Sequence, residues 1–298
     1  MTKIIECVPN FSEGRDVATL QTLVDVASSV AGVALLDWSA DESHNRSVFT
    51  LAGDPEAVMS VAFDLCQQAS RLIDLTKHHG EHPRMGATDV IPLIPVRDVS
   101  IDECVAMSKA LARRIADELK IPVFLYESSA TSPGRRNLAD IRRGQFEGMA
   151  EKLKDPAWTP DYGGTTPHPT AGVTAVGARG PLIAFNVNLD TNRLDIAKAI
   201  ARAVRGSSGG FAACKALGVM LEDQGVAQVS MNMVDYQKTP LYRVFETIRF
   251  EAARWGVRIL SSEVVGLCPS QALVDSASYY LQIADFDFHR QVLEQRFD

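Results

Sequence analysis

The sequence predicts an α/β fold of the α+β kind: two ferredoxin-like units whose mixed sheets face each other across a cleft. Three observations predict it. The chain has 298 residues, 46% hydrophobic and 22% charged, enough for one large domain or two medium ones with full cores. The order strand, helix, strand, strand, helix, strand can be read twice, and that is the ferredoxin-like order. The two repeats also begin alike, since Cys7-Val8-Pro9-Asn10-Phe11-Ser12 and Phe185-Asn186-Val187-Asn188-Leu189-Asp190 each lead from a strand into a helix. The units are expected at residues 1–180 and 181–298.

Ile4–Val8 is a short apolar strand that runs into the turn-rich Pro9-Asn10-Phe11-Ser12-Glu13-Gly14. From about Asp16 to Val30, Val17, Leu20, Val24 and Ala27 fall on one helix face, and Ala31-Gly32 closes the helix. Asn10, Ser12 and Glu13 therefore lie where a strand gives way to a helix, a place where unpaired backbone N–H groups can meet an anion; turn and capping chemistry explains them equally well. Val33–Asp37 and Arg46–Leu51 read as strands in a hairpin-like return around the polar stretch Trp38–Asn45. Asp54-Pro55-Glu56 is a helix start, with aspartate as N-cap and proline in the first turn. The apolar positions Val58, Val61, Ala62, Leu65, Ala69, Leu72 and Ile73 carry that helix to about Lys77. Asp89–Val96 is apolar but holds Pro92 and Pro95, which points to an edge or irregular strand. A helix over about Ile101–Lys120 and a strand Ile121–Tyr126 follow. Ser128–Tyr162 is rich in charge, Gly and Pro, and its Arg135, Arg136, Arg142 and Arg143 are assigned to structural or solvated ion pairs ahead of ligand contacts. The second unit repeats the order with strand Leu182–Leu189, helix Asn192–Arg205, strands near Gly218–Glu222 and Ala227–Val234, helix Pro240–Trp255, strand Val257–Val265 and a last helix after Pro269.

Composition excludes several functions. The net charge of −7 argues against a general nucleic-acid or acidic-membrane surface. No apolar run reaches the roughly 18–20 residues that span a bilayer, and Met1-Thr2-Lys3-Ile4-Ile5-Glu6 lacks the features of a signal peptide, so the cytoplasm is expected. Five scattered cysteines, Cys7, Cys66, Cys104, Cys214 and Cys268, suggest buried thiols and neither disulfides nor a thiolate metal site. Gly206-Ser207-Ser208-Gly209-Gly210 lacks the Gly-Lys-Ser/Thr ending of a phosphate-binding loop and is read as a connector, although Lys215 beyond it could reach an anionic tail.

The chemistry is concentrated in Lys77-His78-His79-Gly80-Glu81-His82-Pro83-Arg84-Met85-Gly86, which holds three of the six histidines. His78 to His82 spells H-x-x-E-H, a zinc signature. That signature needs both histidines on one face of a continuous helix, and Gly80 and Pro83 interrupt helix on either side of Glu81 and His82. No metal is therefore expected. His78 and His79 are placed on a helix end, with His79 the one that faces the site, and His82 on a rigid loop. A second candidate stretch, Asp161-Tyr162-Gly163-Gly164-Thr165-Thr166-Pro167-His168-Pro169-Thr170-Ala171-Gly172, offers glycines for close backbone approach and polar groups for a planar ligand; an interdomain linker is the other reading.

Glu6-Cys7-Val8-Pro9-Asn10-Phe11-Ser12-Glu13-Gly14, Asn45-Arg46, Gly80-Glu81-His82-Pro83-Arg84-Met85-Gly86, Asp89-Val90, Ile94-Pro95-Val96 and Leu182-Ile183-Ala184-Phe185-Asn186 together resemble the glutamate formimidoyltransferase family, folate-dependent transferases of histidine breakdown. The resemblance runs from about residue 3 to the C-terminus. It implies two α/β subdomains with reduced folate, as tetrahydrofolate co-substrate, in the groove between their sheets, and a homodimer. The cyclodeaminase domain that follows in animal members is not expected in this chain. By the resemblance His82 is the catalytic histidine and Gly163, Gly164, Thr165, Thr166, Pro167, His168, Pro169, Thr170, Ala171 and Gly172 form the folate loop. Asn10, Arg46 and Arg84 are expected to contact substrate or folate. One imidazole could take the proton from the attacking amine and return it to the leaving glutamate amine. The family pattern places a second acid at the position of Ser39, which leaves Asp37 or Asp41 to substitute. That change and the divergent folate loop keep two alternatives open, a folate-dependent formyl or formimidoyl transferase with another donor, and a non-catalytic folate-binding paralogue.

Overall fold

A computed structural model describes residues 3–296; Met1, Thr2, Phe297 and Asp298 lie outside it, the first two belonging to the stretch read above as lacking a targeting signal. The chain divides into two compact units, Met1–Arg179 and Gly180–Asp298.

In the first unit, β1 (Ile4–Cys7) and β2 (Asn10–Phe11) are two pieces of one path, interrupted at Val8-Pro9. α1 (Val17–Ala27) starts on the Asp16 carboxylate, which accepts from the Ala18 N–H. β3 (Val33–Asp41) and β4 (Arg46–Gly53) form an antiparallel hairpin. α2 (Pro55–Leu72) starts on Asp54, β5 (Thr88–Arg97) follows the histidine loop, and α3 (Ile101–Arg114) opens with a Ser100–Glu103 capping box. β6 (Val123–Glu127) and β7 (Thr174–Ala178) complete the sheet. β1 lies between β4 and β5, antiparallel to both, and β3 flanks β4. This is the ferredoxin-like order, extended beyond β5 by β7 and β6 in parallel.

β5 corrects the expectation of an edge strand. It runs through the middle of the sheet with Thr88–Ile94 buried. The Val8 N–H donates to the Pro92 carbonyl at 3.3 Å, and a strand residue points its N and its C=O to the same neighbour. The nitrogen of Pro92 that has no hydrogen therefore faces the β1–β2 interruption, where no ladder bond is owed. Pro95 stands at the register shift between Ile4 and Ile5, past the last β7 pair, Leu93 with Ala178.

The main core of this unit gathers Ile5, Cys7, Phe11, Leu51, Leu65, Ile91 and Leu93. A second cluster holds Val90, Phe124, Tyr126 and Val173 against Ile141 and Met149. Those last two come from α4 (Leu138–Arg142) and α5 (Gln145–Lys152), so part of the stretch without a long period is folded into short helices.

In the second unit, β8 (Ile183–Leu189), α6 (Leu194–Val204), β9 (Cys214–Leu221), β10 (Val226–Met233), α7 (Leu241–Arg254) and β11 (Ile259–Val265) form a four-stranded antiparallel sheet in the order β11-β8-β10-β9. That is the same ferredoxin-like order, followed by α8 (Ser270–Leu281). The connector after α6 folds back onto the helix it leaves, with the Arg205 Nε donating to Ser208 Oγ and that hydroxyl donating to the Arg202 carbonyl. No helix among the described residues is long and apolar enough to cross a membrane.

Candidate active site

α2 stops at Leu72, five residues short of the expected end, because Ile73 turns extended and the Asp74 side chain accepts from the Thr76 N–H and hydroxyl, diverting the backbone from helix. His78 and His79 consequently lie in a loop and not on a helix end. Neither ring lines the hollow beside His82. His79 is exposed and contributes only its carbonyl, which accepts from Asn45 Nδ2, whereas His78 is buried. His78 Nε2 donates to the Asn45 carbonyl at 2.9 Å and Nδ1 accepts from Arg84 Nε at 3.1 Å, so both ring nitrogens are committed. Gly80 allows this packing: a Cβ there would stand 2.3 Å from the His44 carbonyl oxygen.

Arg84 is buried, and its five N–H groups all meet protein acceptors. Nε reaches His78 Nδ1, Nη1 reaches Gln145 and Glu147, and Nη2 reaches the His78 carbonyl and Glu147. The expected substrate contact at Arg84 thus has no donor to make it with; the side chain ties the histidine loop to α5 instead.

Arg46, at the start of β4, behaves differently. Its Nη2 donates to Asn10 Oδ1 at 2.6 Å, and its Nη1 donates to Asp89 Oδ2 at 3.2 Å and stands 3.0 Å from His82 Nδ1. Two of its five N–H groups are left without a protein acceptor among the described residues. Asp89, fully buried at the start of β5, also accepts from Arg142 Nη2 at 2.6 Å and from the Met85 N–H at 2.9 Å. Burial alone would raise the Asp89 pKa, but Arg142 and Arg46 hold it below the usual carboxylate range.

His82 is half-buried beside this cluster. Burial first, then the Arg46 and Arg142 charges, push its pKa down to about 4, so the ring is neutral near pH 7. With Ser39, Asp41, His44, Arg46 and Val48 it lines a hollow of about 310 Å³. His44 was read only as part of a polar stretch. In the structure it faces His82 with ring centroids 6.2 Å apart and carries Asp41 on its Nδ1 at 2.9 Å. Aspartate and histidine three residues apart in a tight turn was the local signal that could have found the pair.

The expected folate loop is brought to this region at its far end only. Gly86 bridges Gly172, the Ala87 N–H donates to the Ala171 carbonyl, and a Cβ at Gly86 would fall 2.1 Å from the Val173 carbonyl oxygen. His168 accepts at Nδ1 from the Ala171 N–H at 3.0 Å, which folds Pro167, His168, Pro169 and Thr170 into a tight turn. Gly163, Gly164, Thr165 and Thr166 are exposed, with Tyr162 just before them paired to Val123. Lys215 lies on β9 of the second unit, whose sheet also carries a polar ladder: Asn186 Nδ2 and Gln228 Nε2 both donate to Glu263, and Gln228 Nε2 also meets Asn188.

The fold, with a histidine beside a guanidinium on one of two ferredoxin-like units, defines a protein of two α/β subdomains. Comparison with known proteins makes the class specific. Residues 4–179 match the N-terminal subdomain of the formiminotransferase domain and residues 184–293 match the formiminotransferase domain. The glutamate formimidoyltransferase of Streptococcus pyogenes serotype M1 is 62% identical over 99% of this chain and 98% of its own length. That of Thermoplasma acidophilum is 44% identical over 99% and 97%. The formimidoyltransferase-cyclodeaminase of Rattus norvegicus is 44% identical over 94% of this chain, which spans 53% of that longer protein. The chain belongs to the formiminotransferase family.

Proposed function

We propose that the protein transfers the formimino group of N-formimidoyl-L-glutamate to tetrahydrofolate, giving 5-formimidoyltetrahydrofolate and L-glutamate. The observation that carries this reading is the match, over almost the whole chain, to relatives bearing the name of that activity, in a protein that presents a neutral imidazole at a polar hollow. The secondary amine of tetrahydrofolate attacks the formimino carbon and gives up a proton, and the departing glutamate nitrogen gains one. His82 is the catalytic group at the reacting centre. Arg46, with its unused N–H groups, is a contact for a substrate carboxylate, and Asn10 orients it. A hollow of about 310 Å³ is at the small end of ligand pockets and suits the compact donor. The exposed backbone of Gly163 to Thr166 and the turn through Gly172 suit the flat, longer folate. Arg84 supports the loop that carries His82. The same reading places the protein in histidine breakdown in the cytoplasm, as a homodimer.

The test is an assay of purified protein with tetrahydrofolate and, in turn, formimidoylglutamate, formimidoylglycine and 5-formyltetrahydrofolate. Turnover is expected with the first, and His82→Ala is expected to lower kcat by about 10²–10⁴ while folate still binds. A wild-type protein that turns over only another donor, or none, overturns the reading.

A further inference from the structure

We infer that Lys152 is a positioning residue of this site, a clamp on the end of α4 that seats Arg142 on Asp89 and thereby fixes the surroundings of His82. The inference rests on the catalytic role proposed above for His82 and leaves that role as it stands.

α4 has five residues, and a helix that short is not stable on its own in water. Its last carbonyls also lack partners within the helix. One side chain supplies them. Lys152 Nζ donates to the Asp140 carbonyl at 2.7 Å, the Ile141 carbonyl at 2.5 Å and the Arg143 carbonyl at 3.1 Å. An ammonium group has three N–H donors, so all of them are engaged by the backbone on either side of Arg142. Its charge also suits a helix C-terminus. The same ammonium lies 3.8 Å from the centroid of the Trp158 ring. That indole meets the buried Phe124 of β6 edge to face, with centroids 6.5 Å apart, which braces the clamp against the sheet.

Arg142 depends on that clamp. Its guanidinium donates one hydrogen bond, from Nη2 to Asp89 Oδ2 at 2.6 Å, and its Nε is buried with no acceptor among the described residues. No other hydrogen bond or ion pair among those residues holds the head of the side chain, so its position follows the backbone that Lys152 ties down. Asp89 Oδ2 also accepts from Arg46 Nη1 at 3.2 Å, and that nitrogen stands 3.0 Å from His82 Nδ1. The two cations that depress the His82 pKa, Arg46 and Arg142, are thus placed through one carboxylate oxygen.

α5 links the clamp to the loop that carries His82. The chain reverses at Gly144 and Gln145, whose φ values are 95° and 56°, and enters α5. There Gln145 and Glu147 accept from Arg84, and the Phe146 N–H donates to the Arg84 carbonyl at 2.9 Å. Lys152 is the last residue of the same helix. One end of α5 therefore holds the backbone two residues from His82, and the other end holds the segment that presents Arg142.

The experiment follows the His82 ring of the full chain by NMR as the pH is varied. Wild type is expected to titrate near pH 4. In Lys152→Met, Arg142 leaves its seat and the midpoint is expected to rise toward the ordinary 6.5. Arg142→Met is expected to raise it too, and adding Lys152→Met to Arg142→Met is expected to raise it no further, because residues that act through one another do not add. In steady-state assays with formimidoylglutamate and tetrahydrofolate, Lys152→Met should lower kcat by about 10- to 100-fold with both KM values within a few-fold. Lys152→Gln keeps two N–H donors on a shorter arm; it is expected to show the same signs in smaller measure, and it takes over if the methionine variant does not fold. A folded variant whose His82 midpoint stays at the wild-type value, or a double variant whose shifts add, overturns the assignment. Wild-type protein without formimidoylglutamate turnover overturns the transfer reading instead, and the NMR arm still decides the clamp.

Discussion

Replacing Asp89 by asparagine tests the charge cluster behind His82. The carboxylate is fully buried and receives Arg142 Nη2 at 2.6 Å, Arg46 Nη1 at 3.2 Å and the Met85 N–H at 2.9 Å. Asparagine retains one oxygen for Met85 but turns an NH2 group toward two guanidinium groups whose side chains are only 14% and 12% exposed. Removing one partner of a buried ion pair costs roughly 3–5 kcal/mol. Two lost charge-assisted hydrogen bonds, at about 1.5–3 kcal/mol each, give the same range. That is a large part of a net stability of about 5–15 kcal/mol. Urea unfolding followed by tryptophan fluorescence in a Trp255→Phe background reads the first unit alone, through Trp38 and Trp158. Asp89→Asn is expected to lose about 3–5 kcal/mol, and raising the salt should recover little of it because the pair is screened weakly. A loss below about 1 kcal/mol would refute the assignment of this cluster as a buried, mutually dependent pairing.

Arg84→Lys is expected to destabilise the first unit by about 2–4 kcal/mol, since a lysine replaces only part of five hydrogen bonds, and to lower kcat while leaving KM for both substrates within a few-fold; a rise in KM alone would return Arg84 to substrate contact. The His82 ring is expected to titrate near pH 4 by NMR. Because the unfolded ring takes its proton near 6.5 and the folded one resists it, this residue's contribution makes stability fall as the pH drops from about 6.5 toward 4. A folded midpoint at the ordinary value contradicts the arrangement of Arg46 and Arg142 around it.

The periodicities of the chain carried most of the fold. Apolar spacing placed α1, α2 and α3, and the doubled strand-helix order emerged as two sheets that share a ferredoxin-like set of four strands, the first extended by β7 and β6. What local patterns could not carry was context from distant segments. Pro92 and Pro95 argue against a central strand until the β1–β2 interruption opposite Pro92 is known. Asp89 looked like one polar residue at the start of an apolar run, since its partners lie 43 and 53 residues away. Arg142 was assigned to structural ion pairing, and it is one arm of that cluster. Arg84 was legible as important but not as a strut, because its acceptors Gln145 and Glu147 come from a stretch with no long period. His78 and His79 differ by one position, and it is the distant partners Asn45 and Arg84 that hold the first of them inward.

The two-armed pairing of Asp89 also bears on how the protein is made. Arg46 precedes Asp89 by 43 residues and has already emerged when Asp89 leaves the ribosome, but Arg142 is 53 residues further along, a delay of about 3–10 s at ordinary elongation rates. For that interval the nascent sheet carries a carboxylate with one guanidinium in place of two, and α4, which brings the other, has yet to be synthesised. The pocket that positions His82 therefore closes late in translation, so a chain halted before Arg142 emerges should hold the histidine loop without its fixed geometry.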